Sequence, residues 1–186
     1  MSGGLLFLIL HGPPQLLRVT YDVDIFYEGD HWIVQMALNQ LTPEHFSLHC
    51  RKSLGGSLFT FWATPEENLL YFPKARLVFS GRAEQRFGLF PGGPELARAE
   101  WLQLLGDTPP EGLPDFQYQK VDDWRMLFHR NRNFVIRWRE KKRAYSAKYR
   151  AKVLVPEIAA EARREPFSEF NQYGSADADR KLFREN

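Results

Sequence analysis

The chain has 186 residues, 44% hydrophobic, 26% charged and 15% aromatic, with 15 Phe, 7 Tyr and 5 Trp. That length suits one domain with a real core, and the composition excludes a disordered or low-complexity chain. Its single cysteine, Cys50, excludes an internal disulfide and offers no metal framework. The formal net charge of +2 conceals an asymmetry: residues 125–152 carry eleven Lys or Arg against one acid, Glu140, and the rest of the chain is net acidic.

In chain order, the apolar run 5–10 (LLFLIL) is too short to span a bilayer. It reads as the tail of a clipped signal segment, a first strand or a short packing helix; no basic start or small-residue cleavage site marks a whole secretory signal, and no lipidation cysteine follows. After the break at 11–14 the chain reads as β. Val19, Tyr21, Val23, Ile25 and Tyr27 alternate with Arg18, Thr20, Asp22, Asp24 and Phe26, Glu28-Gly29-Asp30 is turn chemistry, and Trp32, Val34, Met36 and Leu38 alternate in turn. Two such runs joined by a three-residue turn predict a hairpin. Thr42-Pro43 interrupts it, and Phe46, Leu48 and Cys50 share a face of the next strand. Three shorter strands follow at 57–63, 69–72 and 76–79, with Pro73-Lys74 as a turn. From Pro94 the period changes: Leu96, Ala97, Trp101, Leu104 and Leu105 recur at helical spacing, and Gly106 supplies a stop.

The loop 107–114, with three prolines in eight residues, separates this helix from a second set of strands. There Trp124, Met126 and Phe128 alternate, then Phe134, Ile136 and Trp138, with 131–133 as the intervening turn. Tyr145, Ala147 and Tyr149 form a third alternating set, continued by Val153 and Val155. Residues 156–170 read as a short helix or a final edge strand, and 171–186 as a loosely ordered tail. The expectation is a single α+β domain with its core at about 16–170: an antiparallel sheet with one wet face and a helix packed on the other.

Enzyme signatures are missing: there is no phosphate-binding glycine loop, no G-x-S-x-G and no H-E-x-x-H. His45 and His49 share a strand face that excludes Cys50, so they read as surface residues and not as metal ligands. The adjacent pairs Glu66-Glu67 and Asp122-Asp123 diverge on an extended chain and suit no acid/base role. No catalytic residue, metal or cofactor is expected.

Leu54-Gly55-Gly56, Phe59, Leu70-Tyr71-Phe72-Pro73, Gly81 and the helix ending Leu104-Leu105-Gly106 resemble the lipoprotein-localisation carriers and receptors, the LolA/LolB-like half-barrels of bacterial envelopes. The resemblance extends upstream through Pro43-Glu44-His45-Phe46-Ser47-Leu48. Downstream it extends to Asp123-Trp124-Arg125-Met126, where Asp replaces the family's Gly. It implies a strongly curved sheet forming a half-open barrel, lidded by helices near 83–105, that binds an acylated protein or lipid in the periplasm or at the periplasmic face of the outer membrane. On that reading Tyr21, Val23, Ile25, Trp32, Val34, Met36, Phe46, Phe59, Phe61, Ile136 and Trp138 line a ligand cavity. Phe87, Leu89, Trp101, Leu104 and Leu105 face them from the lid, and Leu54 takes the place of the receptors' protruding apolar residue. The receptors' lipidation cysteine has no counterpart here.

Two alternatives stand beside this one. The same fold with a collapsed cavity suits a structural or adaptor protein of an envelope complex. The basic segment, with Arg130, Arg132, Arg137, Arg139, Lys148 and Arg150 expected on one sheet surface, suits attraction to an anionic membrane surface or acidic partner. With Trp138, Tyr145 and Tyr149 interleaved it also suits nucleic acid, though no nucleic-acid motif is present.

Overall fold

The computed structural model describes residues 15–172; the run 5–10 and nearly all of the tail 171–186 lie outside the described residues. The chain opens with the expected hairpin, β1 (Leu17–Tyr27) and β2 (Asp30–Thr42), paired in the register Tyr21↔Met36, Val23↔Val34, Ile25↔Trp32. Its loop is two residues, Glu28 and Gly29, at φ +47° and +89°. Positive φ at both positions gives the turn whose twist matches its flanking strands, so Asp30 joins the ladder opposite Tyr27. The meander continues through β3 (His45–Lys52), β4 (Ser57–Ala63), β5 (Glu67–Phe72) and β6 (Leu77–Arg82).

A helix was expected to start at Pro94, within a helical lid over 83–105. Instead, residues 83–97 are irregular and pinned by one bridge, Phe87↔Leu96, and α1 spans Arg98–Leu105. Ala97 at the cap has no side-chain oxygen, so only the return half of a capping arrangement exists: the Glu100 carboxylate accepts the Ala97 N–H at 2.7 Å. The Trp101 indole N–H donates to Phe87 O at 3.1 Å and locks the helix to the loop before it.

Beyond the proline-rich loop come β7 (Phe116–Val121), β8 (Trp124–His129) and β9 (Phe134–Tyr145). The sequence expectation had no β7, and its third alternating set is not a strand. The chain leaves the sheet at Ser146, whose Oγ accepts the Lys148 N–H at 3.3 Å, and coils into a 3₁₀ turn (Ala147–Tyr149) and the short α2 (Arg150–Val153). Next come α3 (Glu157–Ala160), a four-residue β10 (Arg163–Pro166) and α4 (Phe167–Gln172), so the last segment holds both a helix and an edge strand.

All ten strands form one sheet in the order β10-β6-β5-β4-β3-β2-β1-β9-β8-β7. It is mixed and not wholly antiparallel as expected, because β10 runs parallel to β6. The outermost strands β10 and β7 are not paired with each other, so the sheet is not closed into a barrel. The class is α+β.

Both faces carry apolar residues. On the core face, β1 to β6, β8 and β9 contribute a continuous cluster with Phe87, Leu89, Phe90, Leu96, Trp101, Leu104 and Leu105 against it. Phe167 and Phe170, three apart on α4, complete it. The outer face was expected to be wet. Instead Trp62, Leu69, Tyr71 and Val78 are buried there beneath Ala159 of α3, flanked by Val155 and Ala162. Residues 146–162 thus form a strap across the outer face. The chain then rounds the β6 edge as β10 and enters the core as α4. β4 and β5 are apolar on both sides because both sides are covered.

Candidate functional site

Ten of the eleven residues expected to line a cavity are at most 5% exposed, and Trp32 is half-buried; the five expected lid residues are at most 4% exposed. They come together on the core face, but as packed protein. Phe61 stacks on Phe87 at 4.3 Å between ring centroids, and Phe87 stacks in turn on Phe167 at 5.4 Å. Phe59 meets Phe90 at 5.8 Å, and Phe170 meets Phe79 at 5.0 Å. Rings from the 83–97 loop and from α4 pack against the residues that the resemblance assigns to a ligand cavity. Interiors pack at crystal-like density, and a Phe-rich loop supplies the needed volume.

An open apolar groove of about 530 Å³ lies instead at one end of the sheet, between the β1–β2 and β3–β4 turns. Trp32 and Val34 reach it from the core face, Ile33 and His31 from the outer face, and Lys52, Ser53 and Leu54 from the second turn. Leu54 is fully exposed and Ile33 is 55% exposed. The turn that displays Leu54 is held by backbone bonds: Ser53 N–H to Ile33 O at 3.2 Å, Lys52 N–H to Gly56 O at 3.0 Å and Gly55 N–H to Lys52 O at 3.2 Å. Gly55 and Gly56 sit at φ +104° and +78°, which only glycine adopts without strain. Phe26, also partly exposed, stacks on His31 at 4.1 Å beside the groove.

The expected basic surface is divided. Arg137 and Arg139 do project together from the outer face of β9, but each faces a carboxylate in register on β1. Arg137 Nε lies 2.6 Å from Asp24 Oδ2 and Arg139 Nη2 lies 3.3 Å from Asp22 Oδ2. Both guanidinium groups sit over the Trp124 ring, at 5.0 and 4.9 Å. Arg130 and Arg132 are in the β8–β9 turn, and Lys148 and Arg150 ride on the strap, because the chain is coiled there and not extended. Trp138 is 2% exposed within the core, and Tyr149 lies under Arg18 and Lys148, so of the three interleaved rings Tyr145 is the exposed one.

His49 is not a plain surface residue. Nε2 lies 3.2 Å from Lys152 O in α2, and a carbonyl only accepts, so Nε2 carries the proton. Nδ1 then accepts from Thr60 Oγ1 at 3.2 Å. Ser47 Oγ donates to the same Lys152 carbonyl at 2.8 Å and accepts from Asn39 Nδ2 at 3.2 Å. This network docks the strap on β2, β3 and β4. Burial lowers the His49 pKa, with Lys152 and Arg18 adding to the effect against the hydrogen bond to Lys152 O. Burial also pushes the Cys50 thiol up, and Tyr21 is raised to about 12 by burial and by Glu140. Glu140 itself is held low by Arg143, and Asp107 by Lys120 and Arg125.

Among the described residues no group of three His, Cys, Asp or Glu could hold a metal ion, and no helix is long and apolar enough to cross a membrane. No protein-family model matches the chain, and no curated protein matches it.

Proposed function

We propose that the protein is a non-enzymatic binding protein of the bacterial envelope, working as a half-open barrel of the LolA/LolB-like type, that takes an acyl chain of a lipoprotein or lipid at the groove beside Leu54. The observation that carries this is an ordered, backbone-braced turn presenting a fully exposed leucine next to an apolar groove of about 530 Å³. Leu54 and the exposed Ile33 border one apolar groove, and contiguous exposed apolar patches mark contact sites. The groove suits part of one acyl chain. About eight methylenes at roughly 0.8 kcal/mol each gain about 6 kcal/mol, of which association costs at least about 4. One free fatty acid then binds weakly, and useful affinity draws on further contacts with the acylated protein. The exposed Arg130, Arg132, Lys148 and Arg150 suit an anionic membrane surface at the same time.

The ring packing on the core face supports a second reading, an adaptor in an envelope complex whose turns contact another protein without taking an acyl chain. The two separate on one comparison, the binding of a lipidated peptide and its unlipidated twin. The acyl reading expects strong preference for the lipidated form, weakened about tenfold or more by Leu54→Glu and Ile33→Glu. Equal binding of both peptides, unaffected by those changes, rejects the acyl chain and leaves the adaptor.

A further inference from the structure

A second groove, about 440 Å³, lies on the outer face where the strap stops short of the β3–β4 turn. Its floor is one cross-strand row, Thr20 on β1, Ala37 on β2 and His49 on β3, in register Thr20↔Ala37↔His49. The depression exists because Ala37 is small between larger neighbours on the same face of β2, Gln35 and Asn39. Arg18 and Lys141 stand on one side, Arg51 with Gly55, Gly56 and Ser57 on the other. Lys141 is there because of a bulge: Thr20 pairs with Lys142 and Tyr21 with Glu140, leaving Lys141 as the extra residue. A Cβ added at Gly55 or Gly56 would meet nothing within 4 Å, so that wall is bare backbone beside open space.

Among the described residues, the cations Arg18, Arg51 and Lys141 line this groove and no Asp or Glu does. Both guanidinium groups are oriented by neutral acceptors. Arg18 Nη1 donates to the Asn39 amide oxygen at 3.0 Å, with the Tyr149 ring 5.1 Å below its guanidinium carbon. Arg51 donates through Nε and Nη2 to the Gln35 amide oxygen, at 3.2 and 2.6 Å. Asp22 lies outside the lining; Lys141 Nζ is 3.5 Å from its carboxylate, which is shared with Arg139. This contrasts with Arg137, whose charge is met directly by Asp24. Amide oxygens fix the two forks without neutralising them, and each keeps donors in hand, since a guanidinium carries five. Two pre-oriented forks and an ammonium around one cavity match the planar, bidentate recognition of phosphate oxygens. The volume lies in the range of small-molecule sites and exceeds what one phosphate fills.

We infer that this groove binds a small anion bearing phosphate, with Arg18 and Arg51 as the bidentate contacts, Lys141 as the third charge and Ala37 as the floor. The site is separate from the apolar groove and does not depend on acyl binding.

The test is calorimetric titration of the full chain with pyrophosphate at low salt, with vesicles containing phosphatidylglycerol as a second arm. One saturable site is expected, weakened about tenfold or more by Arg18→Gln and by Arg51→Gln, since each removes a charge-assisted pair. Ala37→Leu fills the floor while leaving every cation in place, and it should abolish binding. Arg164→Gln, at the β10 edge, should leave binding unchanged. Circular dichroism confirms folding of each variant, and Ala37→Leu keeps the test open if an arginine variant does not fold. Pyrophosphate binding with this dependence assigns a soluble phosphate; the same dependence with vesicles assigns a lipid headgroup. Binding that survives all three groove variants, or no binding of either probe, overturns the inference.

Discussion

Phe167→Ala tests whether the last described helix is part of the core or rests loosely on it. The ring is fully buried, stacked 13° from parallel on Phe87 at 5.4 Å. It also lies against the bare backbone of Gly81, where even an added methyl group would collide with it. Removing a buried Phe ring costs about 3–5 kcal/mol through lost transfer energy and the cavity left behind. About 0.5–1.5 kcal/mol of such a loss is ring stacking. The position sets a ceiling, because α4 hangs on the four-residue β10 and can undock without unfolding the sheet. We therefore predict a loss of about 3 kcal/mol for Phe167→Ala and about 1 kcal/mol for Phe167→Leu, which keeps most of the volume. Equilibrium urea unfolding followed by tryptophan fluorescence measures both, with the slope unchanged between variants. A loss under about 1 kcal/mol for the alanine variant would refute the reasoning. The core would then be closed by the 83–97 loop and α1 alone, and space beneath α4 would be open to a ligand.

Two further expectations concern the outer face. The folded-state pKa of His49 lies below its ordinary value of about 6.5, so its contribution to stability is complete above that pH and is lost as pH falls toward the folded pKa. The urea midpoint should therefore drop between pH 7.5 and pH 5.5 by more in the wild type than in His49→Gln; equal drops would exclude His49 as the titrating latch of the strap. Asp24→Asn leaves Arg137 without its carboxylate and should cost about 1–2 kcal/mol, while freeing positive charge on the outer face. Co-sedimentation with anionic vesicles should then increase and fall again with salt; unchanged sedimentation would mean this face does not meet the membrane.

The fold was readable wherever alternation ran long. β1 and β2 carry four or five apolar residues at period two, and no helix accommodates that spacing. β7 escaped because Phe116, Tyr118 and Lys120 alternate with Gln and Val on an edge strand that buries little. Tyr145, Ala147 and Tyr149 misled because three residues cannot fix a period, and a single serine cap was enough to turn the chain. The covered outer face did leave a trace: SLFTFWA and ENLLYF are apolar on both sides, which one buried face does not require. Phe167 and Phe170, three residues apart, carry the helix signal at the end of 156–170, where α4 follows β10. The apolar groove was partly legible, because Leu54 beside two glycines marks a turn that displays a side chain. The groove of Arg18, Arg51 and Lys141 was not. It draws one cation from each of three strands, and a bulge that no local pattern announces sets the third in place.

Acyl binding at the groove beside Leu54 is tested most directly by quenching of tryptophan fluorescence with brominated acyl chains on a lipidated peptide, read at single sites. Trp32 lines that groove, whereas Trp101, on the buried side of α1, is 2% exposed. We predict saturable quenching that is lost in Trp32→Phe and retained in Trp101→Phe. Quenching that disappears with Trp101 and not with Trp32 would place the chain inside the core face, and no quenching at either site would contradict acyl binding altogether.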